Sequence, residues 1–386
     1  MTGQIISIIC LLVALPVSML GLECLIGSIR HKGTGLPGGE APPFLVLVPA
    51  HDEAAIIAPI VAAITSQLRP CDELIVIADN CTDGTAAICR LLGATVFERH
   101  EPARRGKGYA LEFGRRMLAG HRAEVVIILD ADCLPCGDGL QRLASRAARS
   151  QAVVQGADLI LPDERASALV RISCFAFLVK NLVRQRALAW LSGTALVQGT
   201  GMAIPGFLFR EVKWPGSSLV EDLVFGLELL IEGHSVQFEP SAQFVSPASS
   251  DKGTAEQRNR WEHGMLETII DYVPRLLVAG LKGRPALLLV ALDLLIPPTV
   301  LLLLLSATAT LAGLALAGPV TAVNVLVGAN LVLASGVFLV WLKLGRTILP
   351  WASLCQLPRY VIWKLPLLAR FLTKRQREWT RTERKT

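Results

Sequence analysis

Residues 5–26 form an apolar run broken only by Pro16 and Glu23. At about 22 residues it has the length a helix needs to cross a bilayer. Within lipid such a run has few other fates, because only a helix or a closed barrel satisfies its own backbone there. A cleaved signal peptide is the rival, but that would begin on basic residues and end at a small-x-small site. Residues 1–4 carry no charged side chain, and no such site follows. Two further spanning runs are expected at 286–314 and 320–341, joined by the turn Ala317-Gly318-Pro319. Arg30, His31 and Lys32 follow the first run, Lys282 and Arg284 precede the pair, and Lys343 and Arg346 follow it. By the positive-inside rule these flanks are cytoplasmic and the N-terminus is outside. Asp293 and Pro297-Pro298 interrupt the second run, and Asp293 is expected as a tolerated charge at the interface. Residues 348–372 mix Trp351, Tyr360 and Trp363 with Arg359, Lys364 and Arg370, the composition of a helix lying in the interface. The basic tail at 374–385 is expected on anionic lipid.

This placement explains the bulk numbers. Hydrophobic residues make up 52% of the 386, and mean hydropathy is +0.49, too apolar for an ordinary soluble enzyme. The net charge of +6 comes from cations beside the apolar runs, so it points to a membrane surface and not to nucleic acid. The 9 cysteines are scattered, several within apolar or helical runs (Cys10, Cys24, Cys89, Cys174), which suits a reducing compartment. Cys133 and Cys136 have C-x-x-C spacing, but no second pair follows to complete a zinc site. They are read as structural thiols supporting a loop.

Between the runs, short strands alternate with helix-length segments. Strands are expected at 44–48, 73–78, near 95–97 and at 125–129; helices at 54–68 (broken near Pro59), up to 92, and at 108–120. This order predicts a mostly parallel, doubly wound α/β sheet. Residues 33–43 are a Gly/Pro-rich linker.

Polar residues cluster where such a sheet presents its ligands. Asp130-Ala131-Asp132 ends the β-branched run 125–129. Either this is a turn, or two carboxylates hold a divalent cation beside a phosphate. Pro49-Ala50-His51-Asp52-Glu53 follows the first strand, and Asp79 ends the next. Arg104-Arg105-Gly106-Lys107-Gly108 interleaves glycines with cations, as a phosphate-cradling loop does and as a solvated charge run also does. Val220-Glu221-Asp222 opens a helix running to Glu232, where acids also serve as caps. Finally, Gln257-Arg258-Asn259-Arg260-Trp261 reads QxxRW.

In this order and spacing the set resembles the inverting family 2 glycosyltransferases. It is most similar to the membrane-bound processive branch with cellulose, chitin and hyaluronan synthases. One leading and two trailing spans look most like the small chitooligosaccharide synthases. The resemblance covers about 44–264 and implies a Rossmann-like GT-A fold, a nucleotide-sugar donor (usually a UDP-sugar) and Mg²⁺ or Mn²⁺. It places Pro49, Ala50, His51, Glu53 and Asp79 at the uridine, and Lys107 near base or phosphates. Asp130 and Asp132 would face diphosphate and metal, with Asp132 the better direct ligand. Asp222 would be the general base, Gly199-Thr200-Gly201 would lie near the acceptor, and Gln257, Arg260 and Trp261 would close over diphosphate and acceptor. The acidic stretch reads Val-Glu-Asp where many synthases have Thr-Glu-Asp.

The expected organisation is a spanning helix at 1–29, a linker at 30–43 and a cytoplasmic GT-A domain at 44–285. A two-helix membrane hairpin at 286–342 and an interfacial helix with basic tail at 343–386 complete it. The expected location is the inner (plasma) membrane. The expected partners are a nucleotide-sugar, a glycan or lipid-linked acceptor and the bilayer. Three spans are few for an export channel, so an export partner, a homo-oligomer or single-sugar transfer to a lipid acceptor stays open. A catalytically silent nucleotide-binding scaffold predicts loss of a carboxylate from the set, and none is missing. A transporter fits poorly with three spans around a large α/β domain.

Overall fold

The computed structural model describes residues 2–29, 40–216, 218–316 and 320–373. The expected basic flank Arg30, His31 and Lys32, most of the linker, the turn Ala317-Gly318-Pro319 and the basic tail lie outside the described residues. The chain runs α1 (Thr2–Gly27), β1 (Phe44–Ala50), α2 (Ile57–Thr65), β2 (Glu73–Asp79), α3 (Thr85–Leu91), β3 (Thr95–Arg99), α4 (Lys107–Met117), β4 (Val125–Ile128), β5 (Leu134–Pro135) and α5 (Gly139–Ser150). It continues β6 (Val153–Leu161), α6 (Ala168–Leu178), a π-turn (Val179–Arg184), α7 (Gln185–Ser192), β7 (Met202–Pro205), α8 (Gly206–Glu211), α9 (Glu221–Glu232) and β8 (Val236–Pro247). Then come α10 (Asp251–Leu281), α11 (Ala286–Leu294), α12 (Thr299–Leu316), α13 (Thr321–Val340), a second π-turn (Trp341–Gly345), α14 (Trp351–Leu354) and α15 (Leu357–Thr373). Among the described residues these form two compact units, one of 40–163 and 194–248, the other of 2–29, 164–193 and 249–373.

The first unit is an eight-stranded sheet in the order β3-β2-β1-β4-β7-β6-β8-β5. Strands β1 to β4 pair in parallel, as the βα alternation requires, and β7 turns antiparallel against β4. Parallel strands covered on both faces read as unbroken apolar runs, and Leu45, Val46, Leu47 and Val48 are all fully buried. Helices α2 and α5 cover one face with Ile57, Val61, Ile64, Leu140 and Leu143, packed against Val46, Val48 and Ile127. Two sequence expectations need correction. Pro59 does not break α2; it sits in the first turn, where its missing N–H has no intrahelical partner to lose. The first strand runs on through Pro49 and Ala50, because β2 pairs with them while β4 pairs only as far as Leu47.

The second unit is helical. Among the described residues, three of its helices are long and apolar enough to cross a membrane, Gly3–Gly27, Thr299–Leu316 and Thr321–Gly345. The run expected at 286–314 is therefore not one span. Pro297 and Pro298 lack N–H donors and restrict their predecessor, so α11 stops at Leu294 and α12 restarts at Thr299. Helices α1 and α13 pack closely through small residues: a Cβ on Gly336 would stand 2.8 Å from the carbonyl oxygen of Gly21.

Asp293 is not an interfacial charge. It is buried, as is Glu23, and both pair with Arg184 at the end of the first π-turn. The Arg184 guanidinium donates from Nε to Glu23 Oε2 at 3.0 Å, and from Nη2 to Asp293 Oδ1 at 3.0 Å and the Asp293 carbonyl at 2.8 Å. These contacts tie segment 164–193, expected within the catalytic domain, to α1 and α11.

Candidate active site

The site is built at the C-terminal ends of β1, β2 and β4, where the order 3-2-1-4 changes direction and an open α/β sheet leaves a crevice. Two loops interlock there. Thr82 donates its backbone N–H to Asp52 Oδ1 at 2.7 Å; Glu53 and Ala54 donate theirs to Thr85 Oγ1 at 2.8 Å and Asp83 Oδ2 at 3.0 Å. His51 donates from Nδ1 to the Asp79 carbonyl at 2.7 Å. Asp52, Cys81 and Asp83 lie close enough to suggest a metal group. Their carboxylates are already accepting loop N–H groups, and a sulfur is a poor partner for a hard cation, so they read as loop caps.

Asp79 is 5% exposed, and its Oδ1 accepts from Arg99 Nη1 at 2.5 Å and from Asn80 Nδ2 at 2.9 Å. Burial pushes its carboxyl above the ordinary range, with Arg99 opposing. Arg99 also donates from Nη2 to the Arg104 carbonyl at 2.8 Å. The glycine-and-cation loop is thus fastened to the end of β2, and α4 begins at Lys107.

Lys107 joins the remaining motifs. Its Nζ donates to Asp130 Oδ1 and, at 2.8 Å, to the carbonyl of Gly199. Burial alone would weaken its hold on the proton, but Asp130, Glu221 and Asp222 outweigh burial and raise the ammonium pKa. Asp130 donates its N–H to Thr200 Oγ1 at 2.9 Å. The loop is held from beneath by Gln155, whose Nε2 donates to the Thr200 carbonyl at 2.7 Å and whose Oε1 accepts from Gln198 N at 2.9 Å. Gly199 and Gly201 have φ of +92° and +61°, and a Cβ on Gly201 would strike the Phe244 ring. Asp222 enters from the first turn of α9 and lies against Gly199. Beside it, burial and the Asp222 charge push Glu221 up to about 7.

Asp130, Asp132, Lys107, Gly199, Thr200 and Asp222 therefore come together from four separate stretches of chain. Asp130 and Asp132 are partly exposed and present the hard oxygen donors that Mg²⁺ or Mn²⁺ prefers. Gln257, Arg260 and Trp261 belong to α10 of the helical unit. There the intervening Arg258 does the packing: its guanidinium lies 5.5 Å from the Phe177 ring and 5.4 Å from Trp261, and its Nε donates to Ser173 Oγ at 2.7 Å.

Sequence reasoning passed over Arg99, Gln155 and Asp158. Asp158 is buried in β6, where burial, then Asp130 and Asp132, hold its carboxyl well above the ordinary range. Its signal was a lone acid in the otherwise uncharged run 153–161. Cys133 is buried and Cys136 half-buried, both free; the Cys136 N–H donates to the Gln243 carbonyl at 2.9 Å, which fits loop support.

A crevice of this kind, with paired carboxylates at a strand end and a second acid opposite, is that of a GT-A glycosyltransferase. The family model described as "Glycosyltransferase like family 2" matches residues 42–264, and the chain belongs to that family. It is 24% identical over 258 residues to the probable glycosyltransferase YdaM of Bacillus subtilis (strain 168), a match covering 61% of this chain and 58% of that protein. It shares its fold with the mannosyltransferase PcManGT from Pyrobaculum calidifontis, solved with GDP-Man and Mn²⁺. That likeness has a TM-score of 0.57 and 21% identity, covering 96% of this chain and 100% of that one.

Proposed function

We propose that the protein transfers a sugar from a nucleoside-diphosphate sugar, a UDP-sugar by the family resemblance, to a hydroxyl of a glycan or lipid-linked acceptor. The reaction inverts the anomeric centre and yields a β-linkage from an α-linked donor. The observation that carries this reading is the bridge Lys107 makes between Asp130 and the Gly199 carbonyl, with Asp222 against Gly199. One cation and two sets of carboxylates then flank the place where a sugar–phosphate bond must break.

In this reading Asp130 and Asp132 hold Mg²⁺ or Mn²⁺, which supplies charge stabilisation to the departing diphosphate. Lys107 adds a fixed positive charge on the same side. The loops 49–53 and 79–83 receive the nucleoside, with Asp79 held in place by Arg99. Asp222 takes the proton from the acceptor hydroxyl as that oxygen attacks, a contribution of about 10²–10⁴ in rate. Gln257, Arg260 and Trp261 serve the diphosphate and acceptor. The three apolar helices support a membrane location; in this reading the catalytic unit lies on the cytoplasmic side, with processive extension as one outcome and single addition as the other.

The test incubates membranes containing the protein with a panel of nucleotide-sugars and Mn²⁺ and measures nucleoside-diphosphate release. Release with one donor, lost on Asp222→Asn and on chelation, is expected. No release from any donor, or full release from Asp222→Asn, would sink the assignment.

A further inference from the structure

The C-terminal half of α10 has two unlike faces. Tyr272, Val273, Leu276 and Gly280 are buried, and Gly280 packs on Leu288 of α11. On the other side Ile270, Pro274, Leu277, Val278 and Leu281 are exposed, at 63% for Ile270 and 79% for Leu281. Their spacing traces one continuous stripe along the helix. Toward its end lies an open, shallow depression of about 560 Å³ bordered by Pro274, Arg275, Val278, Ala279, Lys282 and Arg284. The Arg275 guanidinium lies 4.7 Å from the Tyr272 ring. Lysine and arginine near a helix C-terminus ordinarily just complement its dipole. That role does not account for an exposed apolar stripe ending at a depression bordered by three cations. The stripe ends at the turn 282–285, after which α11 and then the apolar helix Thr299–Leu316 follow in the chain.

We propose that this depression binds the phosphate headgroup of an anionic phospholipid in the cytoplasmic leaflet, its acyl chains lying along the exposed stripe. Arg275, Lys282 and Arg284 match the phosphate in charge, and Pro274, Val278 and Ala279 meet the glycerol and upper acyl carbons. The inference rests on the membrane-embedded reading above. It gives that reading a consequence, because α10 is a single helix of 31 residues that also carries Gln257, Arg260 and Trp261. A lipid seated at one end restrains the helix presenting the acceptor-side motif at the other.

The test uses the full-length protein, stripped of lipid in a neutral detergent and titrated with dihexanoyl phosphatidylglycerol, dihexanoyl phosphatidylcholine or inorganic phosphate while its thermal midpoint is followed. Saturable stabilisation by phosphatidylglycerol alone is expected. With a basic residue near an anionic surface contributing about 1 kcal/mol, roughly fivefold in affinity, Lys282→Gln should weaken the lipid about fivefold and Arg275→Gln/Lys282→Gln/Arg284→Gln about a hundredfold. Lys282 is exposed, so the single variant stays informative if the triple variant fails to fold. Unchanged affinity in Lys282→Gln, or equal stabilisation by inorganic phosphate or by phosphatidylcholine, would overturn the proposal. Alkaline carbonate washing of membranes separates the two readings. Release of the wild type into the supernatant defeats the membrane assignment itself, whereas retention with no lipid selectivity defeats only the headgroup site.

Discussion

A Cβ added to Gly199 would stand 2.5 Å from Oδ2 of Asp222, and the glycine already holds a φ of +92°. Any side chain there must both strain the backbone and push the carboxylate away. Gly199→Ala is therefore expected to lower kcat by roughly 10²-fold, the cost of a misplacement near 1 Å, while donor affinity changes little. Nucleoside-diphosphate release and calorimetric donor binding check the split. A large loss of donor affinity with kcat intact would contradict the placement of Asp222 at the acceptor.

If Asp130 holds the metal as proposed, Lys107 and the divalent cation compete for one carboxylate, since Nζ pairs with Asp130 Oδ1. Lys107→Met is expected to tighten Mn²⁺ binding in the donor-free protein, because Asp130 loses its internal counter-ion. It is expected also to weaken donor binding, because the diphosphate loses a cation. Titration of free Mn²⁺ by electron paramagnetic resonance measures the first effect. Weaker Mn²⁺ binding in the variant would count against Asp130 as a metal ligand.

Glu221 titrates at about 7, above its ordinary value of 4.5, through burial and the neighbouring Asp222. The folded protein thus keeps a proton that the unfolded chain has released. Its stabilising contribution is complete below about pH 4.5 and is lost as pH rises through about 7. Glu221→Gln should flatten the stability profile between pH 4.5 and 7, read as thermal midpoint against pH.

Arg184 is the sole cation among three buried charged groups that pair with one another, the others being Glu23 and Asp293. Arg184→Met leaves two carboxylates buried without their counter-ion and is expected to cost about 3–5 kcal/mol. Replacing all three, as Glu23→Leu/Arg184→Met/Asp293→Leu, should recover most of that loss, because an apolar trio carries no desolvation penalty. Thermal unfolding in detergent distinguishes the two. Equal destabilisation of the single and triple variants would mean that the ion pairs contribute net stability.

The parts of the catalytic unit legible in the sequence are those with a local signature. Buried parallel strands read as β-branched runs, and β1, β2 and β4 fall where those runs lie, short of the extra turn of strand through Pro49 and Ala50. The carboxylates of Asp130 and Asp132 stood out because nothing in packing asks for them. Partners far apart in the chain left no such trace. Arg99 holds Asp79 across 20 residues, Gln155 clamps the Thr200 carbonyl across 45, and Arg184 meets Glu23 across 161. Each looks, in its own stretch, like an ordinary polar residue.

The sequence by itself determined the family, the alternation that makes the sheet, and the apolar runs, because these depend on periodicity and on residue types at fixed short spacings. Only the tertiary structure decided that Asp293 is an internal ion-pair partner and that Lys107 faces both Asp130 and Gly199. Those outcomes follow from burial. A charge taken out of water must find its counter-charge wherever the packed chain brings one, and chain order does not say where that is.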